Sequence, residues 1–369
     1  MSDLPRSVLS DAVAEACRDR RLVAAVFTTY TFDPAFFETE VLPVFMSRQF
    51  SADPAVRLAQ LERRIADEDI QISVFYDPRG LQTGNPGAKL HIRRLTVRHG
   101  TGVFHPKTIL ALVEQPDPDQ PTGRGQRSLL CMCLSANLTR SGWWENIEVA
   151  HIEEIPEGAK TSLRNELIIH VDDLARSQDP RAPLKEARER NPAITAIHAF
   201  LRGTEQRTQR STQGLLHPAF HAGHTSFRTF LEESAGSLLR GMHMEILTPY
   251  FDHEDGTGPL EDLIQAFNPA SVRISLPLDA QGQSTCPEHL HAWVKDQETM
   301  SWGRLPKDLH QIGTSDGARR RGLHAKVYRF FERRRGGKEI LCIGSVNLTT
   351  PGCRPSGRVG NWESAILVE

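Results

Sequence analysis

Apolar and polar positions along the chain fall into two kinds of segment that alternate. Leu22-Val-Ala-Ala-Val-Phe-Thr-Thr-Tyr-Thr-Phe-Asp33 is an apolar run followed by a helix start, and Met244-Glu-Ile-Leu-Thr-Pro-Tyr-Phe-Asp252 reads the same way. In each, Asp or Pro comes just before a helical pattern, Pro34 to Phe45 and Pro259 to Phe267. Proline suits that place because its fixed φ is helical and its missing N–H would be unpaired there anyway. A second apolar strand follows each helix, Ile70 to Tyr76 and Val272 to Pro277. Strands alternating with helices predict an α/β architecture with largely parallel pairing. Thr161 to Arg176 and Leu184 to Leu201 read as further helices, and the polar run Gly203 to Gly214 as a linker. Two units are therefore expected, residues 1–202 and 215–369.

The two units are copies of one plan. Phe104-His-Pro-Lys-Thr-Ile-Leu matches Leu323-His-Ala-Lys-Val-Tyr-Arg. Leu134-Ser-Ala-Asn-Leu-Thr-Arg-Ser-Gly142 matches Gly344-Ser-Val-Asn-Leu-Thr-Thr-Pro-Gly352, and Asn146-Ile-Glu-Val-Ala150 matches Asn361-Trp-Glu-Ser-Ala365. His-x-Lys, Ser-x-Asn and Asn-x-Glu thus occur twice in the same order. The connectors differ: Gln115 to Arg127 is long, Glu332 to Lys338 short.

Composition narrows the class. The chain has 369 residues, is 39% hydrophobic and is 24% charged, which suits ordinary folded domains and excludes disorder, collagen or a disulfide scaffold. No apolar run reaches the roughly 20 residues of a membrane span, and Met1 to Arg21 lacks the apolar core of a secretion signal, so a cytoplasmic protein is expected. The six cysteines suit buried free thiols, with Cys131, Cys133 and Cys342 in apolar strands. The net charge of −2 excludes a polycation, yet Ser301 to Glu369 carries 13 Lys or Arg against 6 Asp or Glu. That basic stretch suits a local anion-binding face, with Arg319, Arg320, Arg321, Arg333, Arg334 and Arg335 as candidates to track a nucleic-acid backbone.

The repeated residues ask for one kind of ligand. Residues i and i+2 of a strand share a face, so His105 points with Lys107 and His324 with Lys326. Lysine is rarely buried without a partner, and an anion meets the demand. Phosphate fits: two lysines neutralise it, Asn137 and Asn347 donate amide hydrogen bonds, and Ser135 and Ser345 add hydroxyls. One neutral imidazole can attack phosphorus, while the other gives a proton to the leaving oxygen and then activates water. Glu148 and Glu363 are expected to accept from the far imidazole nitrogens and fix their tautomers. The lysines supply the charge, so this chemistry requires no metal and no cofactor.

These motifs resemble the phospholipase D superfamily, whose pattern is His-x-Lys-x4-Asp with a downstream Gly-Ser-x-x-Asn-like segment. The Asp position holds Leu112 and Phe331 here. Loss of that Asp resembles the branch containing tyrosyl-DNA phosphodiesterase and several nucleases of the superfamily. The resemblance implies two pseudo-symmetric halves, each a mixed β-sheet flanked by helices, with the active site at their interface. It places His105, Lys107, Asn137 and Glu148 on one side and His324, Lys326, Asn347 and Glu363 on the other. It also implies His105 as nucleophile and His324 as acid, then base.

The expected function is a metal-independent phosphodiesterase on nucleic acid, a nuclease or DNA-end-processing enzyme, with a covalent phosphohistidine. A phospholipase or phosphatidyl-transferase shares the chemistry, but no anchor or basic amphipathic helix is visible. A non-catalytic nucleic-acid-binding module is disfavoured because both half-sites are intact. Ending a few residues after Glu363, the chain is expected to be part of a longer protein, with a helicase, ATPase or targeting function in the remainder. Weaker candidates were Cys286, His289 and His291, or His217, His221 and His224, as metal ligands without a second pair at zinc spacing. Trp143 and Trp144 are candidates to stack on bases, or to pack beneath the loop. No Walker-type phosphate loop is present.

Overall fold

A computed structural model describes residues 9–82, 90–117, 119, 123–208, 216–252, 258–279, 281–312, 319–357 and 359–369. In the first half, β1 (Arg21–Thr29), β2 (Gln71–Tyr76), β3 (Arg93–Thr96), β4 (Thr108–Gln115), β5 (Gln126–Leu134) and β6 (Ala150–Pro156) form a sheet in the order β3-β2-β1-β4-β5-β6. A two-residue parallel pair, β7 (Lys160–Thr161) with β8 (Glu205–Gln206), reaches into the expected linker, whose residues 209–214 lie outside the described set. The second half contains β9 (Ala219–His221), β10 (His243–Leu247), β11 (Ser271–Ser275), β12 (Met300–Gly303), a small pair β13 (Gln311–Ile312) and β14 (Arg319–Arg320), then β15 (Val327–Phe331), β16 (Glu339–Gly344) and β17 (Ala365–Val368). Its sheet runs β12-β11-β10-β15-β16-β17-β9. Putting β10 for β1 and β15 for β4 reproduces the first sheet, with β9 added at one edge.

Each sheet is mixed. β1, β2 and β3 pair in parallel, as do β10, β11 and β12, and helices carry the chain back from β1 to β2, from β10 to β11 and from β11 to β12. β4, β5 and β6 and their counterparts are antiparallel, joined without a crossover helix. The largely parallel pairing expected from strand–helix alternation therefore holds only on one side of each sheet. Both faces of β1 and β4 are covered, which is why they read as unbroken apolar runs.

Two helix expectations are corrected by proline. The segment from Pro34 is a short α-helix (Pro34–Phe36), then a π turn (Phe37–Val41) and a 3₁₀ turn (Leu42–Met46). Pro43 has no N–H to give the carbonyl of Thr39, and Arg57 Nη1 takes that carbonyl instead at 2.7 Å. Arg57 belongs to a helix not anticipated, Pro54–Asp67. The span expected as one helix from Leu184 is two, Leu184–Glu189 and Pro192–Arg202; Pro192 opens the second and Asn191 caps it, accepting from Ile194 N at 3.2 Å.

Three apolar cores result. One lies under the first sheet around Phe27, Phe37 and Phe45, and one under the second around Phe227, Phe267 and Phe330. The third joins the halves: Leu110, Leu129 and Cys131 of the first sheet share it with Leu167 and Ile197 of helices and with Phe220, Trp362 and Ile366 of the second half. Cys131, Cys133 and Cys342 are buried thiols, as their strands suggested. No helix among the described residues is long and apolar enough to cross a membrane.

Candidate functional site

The halves exchange backbone hydrogen bonds where the repeated motifs meet. His105 N donates to Trp362 O at 2.9 Å, and Trp362 N donates to Val103 O at 2.9 Å. Symmetrically, His324 N donates to Ile147 O at 3.0 Å, and Ile147 N donates to Gly322 O at 2.9 Å. Each His-x-Lys segment is thus zipped to the Asn-x-Glu segment of the other half (parallel bridges Phe104–Trp362 and Ile147–Leu323).

That exchange decides which glutamate serves which histidine. His105 Nδ1 lies 2.7 Å from Glu363 Oε2, and His324 Nδ1 lies 2.8 Å from Glu148 Oε1. The expected grouping of Glu148 with His105 and Glu363 with His324 is corrected: each carboxylate crosses to the opposite half. With a carboxylate accepting at Nδ1, each neutral ring carries its proton there and leaves Nε2 as the basic nitrogen. Asn361 Nδ2 donates to Glu363 Oε1 at 3.1 Å and Asn146 Nδ2 to Glu148 Oε1 at 3.4 Å, which explains the Asn of each Asn-x-Glu.

The serines serve the carboxylates too. Ser135 Oγ donates to Glu148 and accepts from Val149 N; Ser345 Oγ donates to Glu363 and accepts from Ser364 N. Their hydroxyls are therefore committed, and the expectation that they bind phosphate is corrected. The rest of the motif is local structure. Thr139 and Thr349 accept from the N–H of Gly142 and Gly352, each at 3.2 Å. A Cβ on those glycines would stand 2.4 Å from the Asn137 carbonyl oxygen and 2.7 Å from that of Asn347, so only glycine fits the turn behind each asparagine. Asn137 Oδ1 accepts from Thr31 N at 3.1 Å and Thr29 Oγ1 at 3.3 Å, which frees its amide N–H groups. Among the described residues, Asn347 Oδ1 is buried without a partner.

Lys107 and Lys326 are fully buried. Lys107 Nζ donates to His105 O at 3.1 Å and Lys326 Nζ to His324 O at 2.6 Å. Neither forms an ion pair among the described residues, since both glutamates are held by the histidines, serines and asparagines. An uncompensated buried charge costs on the order of 3–5 kcal/mol. Burial accordingly pushes Lys326 down to about 8. Burial also holds Lys107 well below its ordinary value, and the ammonium of Lys326 adds to the effect. Burial pushes His105 down to about 4, with Glu363 opposing and both lysines reinforcing the shift. His324 is lowered by burial and by Lys326, against Glu148. Burial would raise the two glutamates, but their histidines and hydrogen bonds outweigh it and hold both below the usual carboxylate range.

The site is not fully symmetric. Lys326 Nζ also lies 3.1 Å from His324 Nε2, whereas His105 Nε2 has no hydrogen-bond partner among the described residues. Asp77, buried beside the first half-site, accepts from Phe104 N at 2.9 Å and pairs with Arg79 at 2.7 Å, while Arg79 Nη2 donates to Gly102 O at 2.6 Å. In the second half the carbonyl of Leu278 plays that part, accepting from Leu323 N at 3.1 Å. Asp77 went unsingled in the sequence because it lies 28 residues before His105 with no repeated partner. Tyr30 (5.5 Å from the His105 ring) and Tyr250 (6.2 Å from that of His324) were also missed.

No family model matches the chain, and no curated protein matches it. Among solved structures, yeast tyrosyl-DNA phosphodiesterase superposes at a TM-score of 0.54 and 10% identity, over 94% of this chain and 82% of that one. The chain shares that fold. Two histidine-substituted forms of the same yeast enzyme match at TM-scores of 0.52 and 0.53, again at 10% identity, over 94% and 97% of this chain and 83% and 84% of theirs. The two-half, mixed-sheet architecture implied by the phospholipase D resemblance is the one observed.

The remaining candidates lie elsewhere. Arg321 N bonds to His310 O three residues before His324, and exposed Arg320 rests against Gly282. The side chain of Arg319 is outside the described set. Arg333, Arg334 and Arg335 form the exposed β15–β16 turn, with Arg334 paired to Glu332. Five-residue β15 separates them from Lys326, roughly 15 Å at strand rise. Trp143 packs in the first core, the second of the two alternatives for it; Trp144 packs edge-on to Phe36 at 4.8 Å. His291 stacks on Trp302, His221 packs on Phe230 and His224 pairs with Asp173. No His, Cys, Asp or Glu cluster of metal-binding form occurs among the described residues.

Proposed function

We propose that the chain is a metal-independent phosphodiesterase acting on nucleic acid, a nuclease or DNA-end-processing enzyme that works through a covalent phosphohistidine. One observation carries the reading: two buried lysines, without carboxylate partners among the described residues, accompany two histidines each fixed by a glutamate from the opposite half. A phosphodiester supplies the missing negative charge. Its non-bridging oxygens accept from Lys107, Lys326 and the amide of Asn137.

His105 is the nucleophile. Its Nε2 is unprotonated and unpartnered, and its low pKa keeps it so through the physiological range. Nε2 attacks phosphorus as the P–O bond to the leaving group breaks. His324 gives its Nε2 proton to the departing oxygen. Bound phosphodiester offsets the lysine charges that depress His324, so the ring can hold that proton. His324 then takes a proton from water as the water oxygen attacks phosphorus and the P–N bond to His105 breaks.

The likeness to tyrosyl-DNA phosphodiesterase supports a phosphodiesterase on nucleic acid. The test is cleavage of end-labelled single- and double-stranded DNA and RNA in excess EDTA, with phospholipid hydrolysis measured beside it. Nucleic-acid cleavage should persist under chelation. Loss of cleavage, restored by Mg²⁺ or Zn²⁺, would overturn the mechanism. Phospholipid hydrolysis alone would overturn the substrate class.

A further inference from the structure

Tyr250 stands on the His324 side of the site. Its ring centroid is 6.2 Å from that of His324, nearly perpendicular at 79°, and Lys326 Nζ lies over the ring 6.0 Å from its centre. Tyr250 is 51% exposed, unlike the aromatic residues Phe32 and Phe251 of the same two loops, which are buried.

The backbone beneath it is pinned while the ring is left bare. Thr248 Oγ1 donates to Tyr250 O at 3.3 Å. Phe251 bridges to Leu348, and the Asp252 carboxylate accepts from Thr350 N at 2.8 and 2.9 Å and from Thr350 Oγ1 at 2.6 Å. Pro249 fixes the preceding φ. A rigid aromatic with an open face offers large contact area at little entropic cost.

Packing does not account for this ring, and neither does the repeat. Phe32 bridges Leu138 as Phe251 bridges Leu348, so Thr31 is the counterpart of Tyr250, and Tyr30 that of Pro249. The two tyrosines beside the histidines come from different positions of equivalent loops.

We propose that Tyr250 is a specificity-determining residue, a platform on which a planar aromatic group on the leaving side of the phosphodiester stacks. An unpaired nucleobase and a phenolic ring share that chemistry. The inference rests on the phosphodiesterase reading with His105 attacking, which puts the leaving group beside His324.

The experiment uses four thymidine 3′-phosphodiesters whose leaving groups are thymidine, abasic deoxyribose, phenol and ethanol. kcat/KM is measured for wild type, Tyr250→Phe, Tyr250→Leu and Tyr250→Ala. Comparing each substrate across variants cancels the differing acidity of the leaving groups. Stacking on an aromatic side chain is worth enough to expect about a tenfold selective loss for an aromatic leaving group in Tyr250→Ala and Tyr250→Leu. Tyr250→Phe should keep the wild-type ratios. Selective loss with thymidine identifies a base, and selective loss with phenol identifies a phenolic group. Equal loss on all four substrates, or no loss on any, overturns the stacking role alone. A wild-type protein that cleaves none of the four overturns the phosphodiesterase reading and the inference with it.

Discussion

In the first half, His105 presents a bare Nε2 to the site; in the second, the same nitrogen of His324 meets the ammonium of Lys326 at 3.1 Å. Asp77 braces the segment leading to His105 with a side chain, where Leu278 braces the segment leading to His324 with a carbonyl. Strand order, bridges and capping threonines are otherwise repeated. A duplicated frame has thus kept two histidines in matching geometry while their surroundings diverged. Near-symmetric placement therefore does not impose equal roles, because what touches Nε2 sets whether the ring attacks or donates.

The largest separation of the two half-sites is expected from their cross-half carboxylates. Glu363→Gln should act on His105 and slow formation of the covalent adduct, by a factor on the order of 10² to 10³. Glu148→Gln should act on His324 and slow adduct breakdown, so that the adduct accumulates. Single-turnover kinetics separate the two steps, and the opposite assignment would mean that the glutamates serve their own halves.

Asp77 sharpens the contrast at a lower level. Asp77→Ala removes the acceptor for Phe104 N and frees Arg79, and should lower the rate of adduct formation about tenfold. Asp77→Asn keeps an acceptor and should recover most of that loss. Equal slowing of adduct formation and breakdown would show a general structural defect instead.

In pH, the free enzyme should not titrate at the ordinary histidine value. A lowered pKa means that His105 is neutral above about 4 and gains a proton only below it, so kcat/KM should fall on the acid side near 4. Lys326 loses its proton above about 8, so anion capture should weaken there and set the alkaline limb. An acid limb at 6.5 in kcat/KM would contradict the buried, lysine-flanked setting of His105.

The smallest effect is expected far from both histidines. Neutralising Arg333, Arg334 and Arg335 should reduce the slope of log K against log salt for long strands by roughly 0.7 to 0.9 per lost phosphate contact, leaving the chemical step alone. An unchanged slope would return this turn to plain solvated surface.

Much of this was legible in the sequence. The twofold His-x-Lys, Ser-x-Asn, Asn-x-Glu order pointed to the candidate site residues, and strand–helix alternation to the parallel side of each sheet. Other features were not legible because they depend on contacts remote in the chain. Nothing local to Glu148 shows that Ile147 bridges to Leu323, and that bridge is what carries the glutamate to His324. The serines read as free hydroxyl donors until that crossing placed a carboxylate against each. Tyr250 was hidden for another reason: the repeat shows itself through identical residues, and this ring occupies the place of Thr31.

The central claim is that His105 attacks, and its most direct test is acid-quenched mass spectrometry of His105→Ala and His324→Ala with an activated aryl phosphodiester. His324→Ala should lose turnover by a factor on the order of 10⁴ yet carry a phosphoryl adduct on His105, because an activated leaving group needs no proton and nothing resolves the intermediate. His105→Ala should be inactive and carry none. An adduct on His324 in the His105→Ala protein, or none on His105 in His324→Ala, would contradict the account.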